Sequence, residues 1–248
     1  MKWKLGMAVL AASVVMAGCS ATGGGNQVGA ALDVFKAVTV SEAELQAASL
    51  QMRAAEDKTE KVASAKNKYG QRLARLTKKH LNEDGLKLNF KVYLSEQVNA
   101  NASPDGSIRV YSGLMDKMND QELLAVLGHE IGHVKLGHSL AAMRTAYLAS
   151  AGRKAAASTG GTGAVLAASE VGALTESFVN SQFSQSQETA ADDYGVAFLR
   201  RNGYKPSAMA SALKKLAALG SKDSSVLDQM FSSHPEPNKR AERLSDVK

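Results

Sequence analysis

The run Asn119-Asp120-Gln121-Glu122-Leu123-Leu124-Ala125-Val126-Leu127-Gly128-His129-Glu130-Ile131-Gly132-His133-Val134-Lys135-Leu136 holds two of the chain's five histidines. They stand four apart, with a glutamate directly after the first. On a helix, residues four apart share a face, so both imidazoles can reach one metal ion. Glu130 is then placed to act on a water at that ion. This is the HExxH arrangement, which supplies two zinc ligands and a general base. The helix itself is written locally. Asn119 is a good N-cap, and Glu122 three residues on completes a capping box. Leu123, Leu124, Val126, Leu127, Ile131, Val134 and Leu136 form an apolar stripe at helical spacing. Gly128 and Gly132 each weaken a helix by about 1 kcal/mol relative to alanine. Their presence predicts close approach of another backbone or a ligand.

A catalytic zinc takes three protein ligands and keeps one position open. His138 is a poor third ligand. On a continuous helix it lies about 140° around the axis from His133 and about 180° from His129. Glu188 is the better candidate. Ser184 caps a second helical pattern that runs through Tyr194, Val196, Phe198 and Leu199 and ends near Gly203. Asp192 lies four residues beyond Glu188, so the two carboxylates share a face. One can bind metal while the other accepts the free ring N–H of a ligating histidine and fixes its tautomer.

His129-Glu130-Ile131-Gly132-His133, Glu188-x-x-Ala191-Asp192, and Ser233-His234-Pro235 with Arg240 six residues after His234 occur in that order. Together with the segment Asn99 to Met115, they resemble the HtpX and CAAX-prenyl-protease family of zinc metallopeptidases. The resemblance covers about residues 66–245 and is strongest to the LoiP-like outer-membrane lipoprotein metalloproteases. It implies a gluzincin-like zincin domain with one Zn2+ held by His129, His133 and Glu188, and Glu130 as the base. It places Asn99, Ala100 and Ala102 at the substrate-binding rim of the cleft. It brings the His234 loop over the metal, either to stabilise the oxyanion or to approach the ion, with Arg240 holding that loop. Asn101 departs from the family pattern, which has an aromatic residue there.

The amino terminus sets the expected compartment. Lys2 and Lys4 precede an apolar stretch from Leu5 to Ala17, which ends in Met16-Ala17-Gly18-Cys19. That pattern is a secretory signal, residues 1–18, ending in a lipobox-like site. Cys19 is the only cysteine, so it is the expected lipidation site and leaves no thiol for a disulfide. Ser20 after it points, by resemblance to sorting rules, to the outer membrane of a Gram-negative bacterium. The catalytic domain would then face the periplasm, since several acyl chains together anchor stably. Residues 19–27 hold the lipidated cysteine and a Gly-rich tether, Ala21 to Gln27, about 25 Å long at full stretch, and residues 28–248 form a single metallopeptidase domain.

Net charge is +6 and falls to +4 once Lys2 and Lys4 leave with the signal. No dense basic cluster with interleaved aromatics appears, so no nucleic-acid partner is expected. Further elements follow from pattern. Ser41 and Glu44 form a capping box starting a helix to about Val62, and a second helix runs from about Lys66 to Leu81. Alternation from Leu86 to Leu94 predicts a strand, Pro104-Asp105-Gly106 a turn, and Ile108 to Tyr111 another strand. Residues 141–180 read as two helices with a break at Ser158 to Gly163, without an apolar run long enough to cross a membrane. Pro206 opens a further helix ending at Gly220. A small sheet followed by helices that carry the ligands predicts an α+β, helix-dominated fold.

The expected function is a zinc-dependent endopeptidase acting on unfolded or misassembled envelope proteins in outer-membrane quality control. Other envelope proteases or assembly factors are its implied partners. The alternative is a zinc-binding chaperone or adaptor lipoprotein with little turnover, against which the intact Glu130 argues. A non-peptidase zinc hydrolase is disfavoured by the strand-turn-strand before the metal helix.

Overall fold

A computed structural model describes residues 40–158, 166–220 and 227–247. The signal, lipobox and tether lie outside them. The elements are α1 (Glu42–Thr59), α2 (Lys68–Thr77), β1 (Asn89–Tyr93), β2 (Ala100–Ala102), β3 (Ser107–Tyr111) and α3 (Ser112–Lys117), then α4 (Asp120–Lys135), α5 (His138–Ser158) and α6 (Leu166–Val179), and finally α7 (Gln185–Arg201), α8 (Ala208–Gly220), α9 (Asp228–Ser233) and α10 (Pro237–Arg243). The fold is the expected helix-dominated α+β, with a small sheet before the metal helix. Among the described residues, no helix is long and apolar enough to cross a membrane.

Capping boxes form at Ser41, Asn119 and Ser184. The first two were expected as boxes; at Ser184 it is Gln187 that returns the bond. The predicted 158–163 break begins where α5 ends, at Ser158, and its remaining residues lie outside the described ones.

The sheet has order β1-β3-β2, with β1 parallel and β2 antiparallel to β3. Val92, Val110 and Ala100 align across it, as do Phe90, Ile108 and Ala102. This apolar face joins Leu123, Leu124, Leu127 and Ile131 of α4 in the main core. The intervening row, Lys91, Arg109 and Asn101, belongs to the opposite face, because strand side chains alternate. A smaller core packs α1 against α5 and α6 through Leu45, Met52, Met143, Leu174 and Phe178.

Three expectations are corrected. The strand read from Leu86 to Leu94 is only Asn89–Tyr93. Asp84 and Gly85 both take positive φ, and the Leu88 N–H bonds Leu81 O at 2.9 Å, so Leu86 and Leu88 finish a turn. The helix expected from Lys66 starts at Lys68, where the Asn67 side chain accepts from Tyr69 N, and it stops at Thr77. His138 is not on the metal helix: α4 ends at Lys135 with Leu136 as its C-cap, Gly137 takes φ +75°, and His138 begins α5.

Candidate metal centre

The floor of the site is the contact between α4 and α7. A Cβ on Gly128 would lie 2.6 Å from Phe198 Cδ1, and one on Gly132 would lie 3.1 Å from Tyr194. A Cβ on Gly195 would stand 3.1 Å from the His129 backbone nitrogen. Glycine on both helices lets the backbones close up, as Gly128 and Gly132 foretold. This brings His129 and His133 of α4 against Glu188 and Asp192 of α7.

His129 Nε2 and His133 Nε2 are 3.0 Å apart. Glu188 Oε1 stands 3.1 Å from His133 Nε2, and Glu188 Oε2 3.7 Å from His129 Nε2. His234, between α9 and α10, places Nδ1 3.3 Å from His129 Nε2 and 3.0 Å from Glu188 Oε1. One potential ligand atom from each of His129, His133, Glu188 and His234 lies within 4.8 Å of the others, and all four residues are buried. Glu130 Oε1 is 3.7 Å from His234 Nε2.

The donor set fits a divalent metal. Imidazole nitrogens that face one another cannot all be satisfied by the few protons available to them, whereas a cation between them satisfies every lone pair. Metal–nitrogen bonds of about 2.0 Å in a tetrahedron hold nitrogens about 3.3 Å apart, close to the spacings seen. Glu188 Oε2 accepts no hydrogen bond from the described residues, although the Arg240 guanidinium pairs with it.

The surroundings prepare these groups. His129 Nδ1 lies 3.0 Å from Asp192 Oδ1, which fixes the ring with Nε2 free. Arg240, on α10 just after the His234 loop, donates from Nε and Nη2 to Asp192 of α7 at 2.9 and 2.6 Å. His138 Nδ1 sits 3.1 Å from His133 Nδ1, behind the cluster. Burial drops the His133 pKa well below its ordinary value, the state a metal ligand needs. Burial lifts Glu130 above its ordinary value by more than the neighbouring His234 and His129 lower it. For Glu188, burial opposes ionisation, but His234, His129 and the His133 hydrogen bond outweigh it and hold the pKa far below the carboxylate range. Asp192 is likewise depressed: the Arg240 and His129 hydrogen bonds prevail over burial.

Two recesses flank the Glu130–His234 pair. One, about 410 Å³ with its mouth, is apolar, walled by Val126, Met209, Leu213, Leu216 and Met230. The other, about 420 Å³, is bounded by Asn99, Asn101, Ala102, Phe178 and Phe183. Asn99 Oδ1 is buried and has no partner among the described residues. Ala100 does not line either recess; it is fully buried in the core against α4. Phe183 had not been singled out. Its ring stacks on His133 at 3.8 Å, and its N–H bonds Ser233 O at 3.1 Å. Its one sequence signal is its place directly before the Ser184 cap.

The family model of peptidase family M48 matches residues 64–248. The chain belongs to peptidase family M48. It is 38% identical over 247 residues to Metalloprotease YcaL of Escherichia coli K12, covering 98% of this chain and 96% of that protein. It is 39% identical to Metalloprotease LoiP of the same organism, covering 99% and 97%. The beta-barrel assembly-enhancing protease of Yersinia pestis is 29% identical over 177 residues, 67% of this chain and 35% of that protein. The resemblance drawn from the motifs is thus borne out, and this M48 protein is a metalloendopeptidase.

Proposed function

We propose that the protein is a zinc endopeptidase, lipid-anchored in the outer membrane, that cleaves unfolded or misassembled envelope proteins. The observation that carries the chemistry is the buried group of His129, His133, Glu188 and His234 with Glu130 at its edge. Zinc, once bound there, would lower the pKa of a water and polarise a substrate carbonyl. His129 and His133 offer imidazole nitrogens to the ion, and Glu188 offers a carboxylate oxygen. Asp192 holds the His129 tautomer, and Arg240 holds Asp192. Glu130, at the edge of the cluster, takes a proton from water and delivers it to the leaving amine. His234 lies among the ligand atoms rather than outside them, which supports its acting as a gate over the open position. Asn99 offers a free acceptor to a peptide N–H, and the outer edge of β2 suits a substrate added as an extra strand. Ala100 would then contribute backbone, not side chain.

The compartment rests on residues 1–18 as signal, Cys19 as the acylated residue, 19–27 as tether and 28–248 as one catalytic domain. The substrate class is supported by the likeness to the beta-barrel assembly-enhancing protease of Yersinia pestis. The test uses zinc-loaded, lipid-free protein from residue 20 on casein, with and without chelator. Glu130→Gln should keep zinc and fold while activity falls by about 10²–10⁴-fold. Near-normal cleavage by that zinc-loaded variant would remove Glu130 from the mechanism.

A further inference from the structure

Helix α1 precedes the residues matched by the family, yet it lies across the polar face of the sheet. Ser49, Arg53 and Asp57 recur every fourth residue and so form one stripe on it. Asp57 accepts from Lys91 Nζ at 2.7 Å, from the Tyr93 hydroxyl at 2.8 Å, and from Arg109 Nε and Nη2 at 2.9 Å each. Ser49 donates to Asp105 at 2.5 Å. Arg53, only 1% exposed, donates from Nη2 to Asn101 Oδ1 at 2.6 Å and from Nε to Ser103 Oγ at 2.9 Å. Its third arm meets Glu56 at 2.5 Å, and its guanidinium lies 5.8 Å from the Phe178 ring centre.

Asn101 and Phe178 both line the recess that also reaches Glu130 and His234. One buried guanidinium therefore touches the strand wall and the helix wall of the same cavity. An apolar pair could join α1 to the sheet without the cost of burying a charge. A planar fork instead fixes directions as well as distance. We propose that Arg53 is a positioning residue for the peptide-binding side of the cleft, setting β2 against α6 through Asn101 and Phe178. The proposal rests on the reading of that recess as the place where substrate binds. It also gives the Asn101 departure a function: the amide is the acceptor for Arg53.

The test measures kcat and KM on a fluorogenic peptide, with zinc content and melting temperature, in zinc-loaded protein. Arg53→Lys keeps the charge but cannot serve both acceptors in one plane. It should raise KM about tenfold with kcat within about twofold, at unchanged zinc content. Asn101→Ala should do the same, and the double variant should be no worse than Arg53→Lys alone. Asp57→Asn, which cuts α1 from the sheet away from the recess, should lower melting temperature and leave KM alone. A wild-type KM in Arg53→Lys, with only a lower melting temperature, overturns the proposal. If Arg53→Lys does not fold, Asn101→Ala decides by the same criterion. Asn99→Ala separates the two layers. If it raises KM and Arg53→Lys does not, only the role of Arg53 falls; if neither does, the recess is not the binding side and the proposal falls with it.

Discussion

Replacing Asp192 by asparagine changes one heavy atom and tests the support of the metal centre. Asp192 is fully buried and accepts from Arg240 twice and from His129 Nδ1 once. The amide has one acceptor oxygen, so its NH2 must face a donor, either the guanidinium or the imidazole N–H. Loss of an orienting carboxylate behind a ligating histidine costs about 10–100-fold in metal affinity. That is about 1.4–2.7 kcal/mol. The metal-free protein also loses a charge partner for Arg240, a buried cation left with Glu188 alone, at about 2–3 kcal/mol. In a domain of this size that lowers Tm by about 5–10 °C. Chelator competition gives the affinity, and thermal melts of stripped and loaded protein give the stability. A metal affinity within about twofold of wild type would refute the claim that Asp192 orients a ligand.

His234→Ala should retain metal through the three remaining side chains and raise activity several-fold, because Nδ1 no longer occupies the ligand cluster; unchanged kcat with a lower melting temperature would reduce His234 to a structural residue. Asp57→Asn should destabilise by about 3 kcal/mol, since Arg109 is left buried without its carboxylate. Its pH signature has a definite sign. Burial raises the Asp57 pKa, but hydrogen bonds from Arg109, Lys91 and Tyr93 outweigh it, so the folded value lies below the unfolded one. The stabilisation is therefore complete above the unfolded value of about 3.9 and is lost as pH falls through the folded one. Melts of wild type and variant should converge in that acid range, and a constant difference would exclude the linkage. Cys19→Ser should leave a competent catalytic domain that no longer fractionates with membranes; a variant that still pellets after a salt wash has a second anchor.

Local signals carried the metal helix and its partner. Capping at Asn119 and Ser184, histidines four apart, and carboxylates four apart are all encoded within a turn or two of chain. What failed was non-local or too short for a period. Leu86 and Leu88 keep the alternation of a strand while bonding back to Glu83 and Leu81 as a turn. β2 has three residues, and α9 and α10 have six and seven, with Pro237 starting the latter. Phe183 meets His133 across fifty positions of sequence, and nothing beside either residue announces the other. Arg240 was noticed, but its partner on α7 could not be read without the fold.

The glycine seam between α4 and α7 has an evolutionary corollary. A methyl group at Gly128, Gly132 or Gly195 would press on Phe198, on Tyr194, or on Met209 and the His129 backbone, so the floor accepts change less readily than the walls. Divergence among relatives has freer ground on the surrounding walls, where Met209, Leu216 and Met230 face one recess and Phe178 and Phe183 the other. New preferences for what is cut can then arise by exchanging wall residues, while the cutting chemistry is inherited unchanged.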